Sequence, residues 1–74
     1  MNYDLAIMAL DGMARSPLTI TAGAEVTIEG SSAALKELAR LLLLIASAES
    51  ADAVELQPGV HVGAGSPLVR LRVR

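Results

Sequence analysis

The chain has no cysteine, tryptophan or phenylalanine among its 74 residues, and Tyr3 is its only aromatic side chain. Without thiols, disulfides and thiolate metal sites are excluded. His61 is the only histidine, and one imidazole does not build a structural zinc site. The shortage of aromatics removes base-stacking platforms for single-stranded nucleic acid and cages for quaternary ammonium groups. The net charge of −2 argues against direct nucleic-acid binding. The continuous apolar run Leu41 to Ala46, which no other run exceeds, is far below the roughly 20 residues that span a bilayer. Met1-Asn2-Tyr3-Asp4 lacks the basic start of a signal peptide, and the absence of cysteine suits a reducing compartment. These features lead us to expect a soluble cytoplasmic protein with no membrane partner, forming a single domain over residues 1–74.

What is present is aliphatic. Hydrophobic residues make up 53% of the chain, so the core must be built from Leu, Val, Ile, Ala and Met. A domain this short buries only about 60% of its unfolded surface. With disulfides and metals excluded, self-association as a homodimer is the remaining reinforcement.

Along the chain, Tyr3 to Leu10 is a short apolar segment followed by the turn signal Asp11-Gly12, and reads as a strand. Met13 to Pro17 reads as a loop. Leu18 to Thr21 and Glu25 to Glu29 are β-branched runs separated by Ala22-Gly23. They form either a tight hairpin or one strand kinked at Gly23. Val26 and Ile28 share one face of the second run, and Glu25, Thr27 and Glu29 share the other.

Gly30 ends that strand, and Ser31 or Ser32 caps a helix from about Ala33 to Ala48. Leu35, Leu38, Ala39, Leu42, Ile45 and Ala46 have the spacing of its core-facing stripe, with Lys36, Arg40 and Ser47 opposite. Residues 49–52 form a polar connection. Ala53 to Gln57 is a strand with Val54 and Leu56 inward. Pro58-Gly59 marks a turn, and Val60-His61-Val62 is a short β-like stretch. Leu68 to Arg74 is a strand with Val69, Leu71 and Val73 inward. The expected fold is therefore α+β, in the order β-β-β-α-β-β. One helix packs on one face of an antiparallel sheet of four to five strands.

Three features are candidates for function. Arg70, Arg72 and Arg74 project from one face of one strand, about 7 Å apart. They are either a docking strip for an acidic protein surface or a phosphate backbone, or are neutralised across strands by Glu25, Glu29 and Glu55. Glu25, Thr27 and Glu29 with the three arginines define a mixed-charge face suited to steering a protein partner. Leu44 falls opposite the expected core stripe. It is either an inert exposed leucine or, with Leu41 or Leu43, a patch for self-association. His61 has no convergent partners nearby and reads as a surface or capping residue. The glycines from Gly59 to Gly65 match neither phosphate-loop spacing, and Ser66 before Pro67 is not a nucleophile elbow. No catalytic residues, cofactor or metal are expected, and the chain does not read as an enzyme.

From about Glu25 onward the chain resembles the immunity protein 32 family of bacterial polymorphic toxin systems. The resemblance is carried by Val26-Thr27-Ile28-Glu29-Gly30, by Leu35-Lys36-Glu37-Leu38-Ala39-Arg40-Leu41-Leu42, by Val54-Glu55-Leu56-Gln57-Pro58, and by Gly65-Ser66-Pro67-Leu68-Val69. Glu55 is a departure, since such sequences often have histidine in the strand after the helix. The resemblance implies a small protein that binds and neutralises a toxin, with no catalytic residues to transfer. A phage-encoded inhibitor of a bacterial defence complex, or a structural dimerisation module, suits the same size and charge.

Overall fold

The computed structural model describes residues 1–48 and 52–74. The expected polar connection at 49–52 therefore lies outside the described residues, except for Asp52. Six elements occur among the described residues. They are α1 (Tyr3–Arg15), β1 (Thr19–Ala22), β2 (Val26–Glu29), α2 (Ser32–Ala46), β3 (Ala53–Leu56) and β4 (Val69–Arg72). The class is α+β, but the expected single sheet with one helix is corrected. Among the described residues there are two helices and two separate two-stranded antiparallel sheets, β1–β2 and β3–β4.

The first correction lies in α1. The segment expected as a strand is the start of a 13-residue helix. The Asn2 side chain caps it by accepting from the Leu5 N–H at 3.2 Å, as a helix N-cap does. Ala6, Ala9 and Met13 are its buried residues, at helical i, i+3, i+7 spacing. Asp11-Gly12 is not a turn but lies inside this helix. Gly12 serves packing there, since a Cβ added to it would sit 2.9 Å from the Glu37 Cγ on α2. The missing side chain lets the two helices approach.

The serine hydroxyls of Ser16, at the end of α1, and Ser31 lie 3.1 Å apart. Ser31 is the N-cap of α2, its Oγ accepting from the Ala34 N–H at 3.1 Å. The expected cap and helix are thus present. Its orientation differs by roughly a quarter turn on a 100°-per-residue wheel. Ala34, Leu41 and Ile45 are the buried residues, with Leu38, Leu44 and Ala48 packed beside them. Leu35 and Leu42, expected in the core, are 41% and 44% exposed. The cause is α1, which was not expected to be a helix and draws the Leu41 side of α2 toward itself.

The second correction concerns the sheet. β1 and β2 form the tight hairpin, with Ile20 opposite Ile28 and Ala22 opposite Val26. β3 and β4 pair with Val54 opposite Leu71 and Glu55 opposite Arg70. The two hairpins do not merge, because the chain between β3 and β4 reaches the outer edge of β1 as a loop. The Leu18 N–H donates to the His61 carbonyl at 3.2 Å, and the Gly63 N–H donates to the Leu18 carbonyl at 2.7 Å. The Ile20 N–H then goes to the buried Ser66 Oγ at 2.9 Å instead of to a strand. Pro58 and Pro67 have no N–H to continue a ladder. Gly59, at φ 80°, occupies the left-handed position of a turn closed by the Val60 N–H donating to the Gln57 carbonyl at 3.1 Å.

The core joins all these parts. Met13, Leu18, Leu41, Leu56 and Val62 are its largest fully buried side chains. They come from α1, the approach to β1, α2, β3 and the loop before β4.

Candidate partner-binding surfaces

β4 begins after Pro67 and carries outward Arg70 and Arg72, both exposed. The cross-strand neutralisation expected for the arginines holds for one of them. Arg70 donates from Nε and Nη2 to Glu55 Oε1 at 3.2 and 2.8 Å. The Gln57 side-chain amide holds the other Glu55 oxygen at 2.9 Å. Both ends of the pair are well exposed to water, so the ion pair itself stabilises by about 0.2–1 kcal/mol at most.

Arg72 stands opposite Ala53, which cannot neutralise it. Arg74 follows the end of β4 and is exposed. Among the described residues neither makes an ion pair. Among the described residues the strip thus has a fixed section, Arg70–Glu55–Gln57, and two arginines, Arg72 and Arg74, outside any ion pair.

The other half of the expected mixed-charge face belongs to a different sheet. Glu25 lies in the turn between β1 and β2, where its carbonyl accepts from the Gly23 N–H at 3.0 Å. Thr27 is half-buried and opposite Thr21, and Glu29 ends β2 opposite Thr19. These three residues and the arginines do not share one sheet face, as the single-sheet reading required. Glu25 and Glu29 instead bracket β2, which among the described residues pairs with β1 alone. Charge at an open strand edge discourages another strand from adding to it.

Leu44 is half-buried and packs on the core, so it does not head an exposed patch. His61 is a cap, its Nδ1 accepting from the Gln57 N–H at 3.0 Å. The accepting nitrogen places the ring proton on Nε2 in the neutral form. No group of three or more His, Asp or Glu side chains able to hold a metal occurs among the described residues. No described helix is long and apolar enough to cross a membrane.

Apart from Leu43, expected beside Leu44 in a self-association patch, the most exposed apolar residues lie outside the expected site residues. Leu43 is 75% and Val26 66% exposed, Tyr3, Met8 and Ile7 of α1 come next, and Ile28, Leu42 and Leu35 are exposed to 45%, 44% and 41%. An open cleft lined by Pro17, Thr19, Ile28, Glu29, Gly30 and Leu35 joins the β1–β2 hairpin to the start of α2. A sequence signal for this surface existed. From Leu41 to Ile45 five consecutive residues are Leu or Ile, so α2 has more apolar arc than one core can cover.

A scan against protein-family models, a search of curated proteins and a search of solved structures each found no match to this chain.

Proposed function

We propose that this chain is a non-enzymatic protein inhibitor of the immunity type, which neutralises a toxin by occupying its surface. The observation that carries the reading is the outward face of β3–β4. There Glu55 fixes Arg70 while Arg72 and Arg74 stand unpaired among the described residues. Unpaired cations beside a fixed ion pair steer an acidic partner and set its register. The resemblance to the immunity protein 32 family noted in the sequence implies the same class of activity. The partner is a protein with an acidic contact surface.

The test is a pull-down of the tagged full chain from its native cell background, with mass-spectrometric identification, beside the Arg72→Glu/Arg74→Glu variant. Stoichiometric recovery of a nuclease, peptidase or other toxin domain, lost in the variant, is the expected result. The variant should weaken binding by about tenfold or more without unfolding, since reversing two contact charges acts on the complex. A multi-subunit defence complex in place of a toxin would move the protein to the phage-inhibitor class. Recovery of the bait alone, or full affinity in the variant, would remove the immunity reading and its proposed face.

A further inference from the structure

The apolar circumference of α2 is only partly used by the fold. Its buried residues, Ala34, Leu41 and Ile45, turn toward the core. Lys36 and Arg40 are exposed on another side. Between them runs a third strip, Leu35, Ala39, Leu42 and Ala46, at i, i+4, i+7, i+11 spacing. All four are exposed, and no charge interrupts them. Leu43 stands beside the strip at 75% exposure.

We propose that this strip is the contact between two copies of the chain, packed as an antiparallel α2–α2 pair. The order Leu-Ala-Leu-Ala complements itself only in that direction. About a two-fold axis passing between Arg40 and Leu41, Leu35 meets Ala46 of the second copy, and Ala39 meets Leu42 of the second copy. Every large side chain then faces a small one, which lets the helices close to the short end of the usual 8–10 Å separation. A parallel pairing would set leucine on leucine and leave gaps between alanines. The same patch serves both copies, as an isologous interface requires.

The area decides how tight this contact is. A stable interface takes about 800 Å² from each partner, about a sixth of the chain's 4747 Å² surface. α2 has 15 residues and is about 22 Å long, so the strip alone falls short of that. The cleft with Pro17, Ile28 and Gly30 adjoins it at Leu35 and extends the contact. The total stays at the small end of specific interfaces, and the dimer is a reversible one in the micromolar range. This inference uses α2 and is independent of the inhibitor reading, which uses β4.

The experiment is sedimentation equilibrium of the full chain across the micromolar range. The mass should rise from 7.6 kDa toward twice that value. Leu42→Glu should hold the protein at monomer mass while leaving its circular dichroism unchanged, because the residue is 44% exposed. Ala39→Leu should weaken the dimer by about tenfold, through crowding against Leu42 of the second copy. The swap Ala39→Leu/Leu42→Ala should restore it, since a large residue again faces a small one. A monomer at every concentration would overturn the proposal. So would a dimer indifferent to Leu42→Glu, or one that the swap fails to restore. Binding of an unrelated protein to the strip without self-association would overturn it as well.

Discussion

The two hairpins carry the same alternation and meet different fates. In β3–β4 the apolar side is covered: Val54 and Leu56 are buried, and Val69 and Leu71 pack beside them. Glu55, Arg70 and Arg72 occupy the other side. In β1–β2, Ile20 and Ile28 are directly opposite and so share a face. Ile20 is 5% exposed and Ile28 45%. Val26, on the same face, is more exposed still. Alternation assigns residues to a face of a sheet, but cover depends on what the rest of the chain lays over it. The loop of residues 61–66 is hydrogen-bonded along the outer edge of β1, whereas β2 is one strand farther from it.

The contrast is tested most strongly by truncation on each hairpin. Leu56→Ala should cost about 2–5 kcal/mol, as a leucine lost from a packed core does. Ile28→Ala in dilute protein should cost under about 1 kcal/mol, because much of the side chain is already in water. Urea unfolding of both variants checks this. Equal costs would mean that β2 is covered in solution.

A smaller effect is expected at the tie between the hairpins. Ser66→Ala leaves the buried Ile20 N–H without an acceptor, which should cost about 1–3 kcal/mol. Hydrogen exchange at the Ile20 amide should accelerate at the same time. An unchanged exchange rate would show that this bond does not hold the β3–β4 loop on β1. Smallest of all is Glu55→Gln, which removes the charge opposite Arg70. It should cost under about 1 kcal/mol and cost less as salt is raised. A large, salt-insensitive loss would mean that this face is more enclosed than the exposed ion pair indicates.

Legibility followed the range of the forces involved. Ser31 as a cap, the Pro58-Gly59 turn, the inward Val54 and Leu56, and the outward Arg70 and Arg72 rest on local rules. Each rule needs only a few neighbouring residues. Arg70 also found its expected cross-strand glutamate, because strand pairing is local once a hairpin closes. Tyr3 to Leu10 was misread because Asp11-Gly12 is a turn signal by composition. Only the approach of Glu37 on α2 explains a glycine inside α1. The misreading propagated, since a lone helix on a sheet and a helix packed on another helix bury different sides. Leu44 and Leu35 therefore exchanged their expected environments.

The mixed-charge face failed for a related reason. Grouping Glu25, Thr27 and Glu29 with the arginines assumed that all strands share one sheet. Nothing in either strand's own pattern could reveal that proline-bearing chain and a serine hydroxyl separate the two hairpins.

By itself, the sequence determined the coarse α+β class, the positions of α2 and of the runs that become the four strands, and the residues sharing a face in β2, β3 and β4. Hydrophobic period, capping and turn chemistry act over a few residues and are written in their order. Only the tertiary structure decided that Gly12 belongs to a helix, that the sheets stay apart, and which third of α2 meets the core. Those outcomes depend on which surfaces compete to be buried, and that competition involves the whole chain at once.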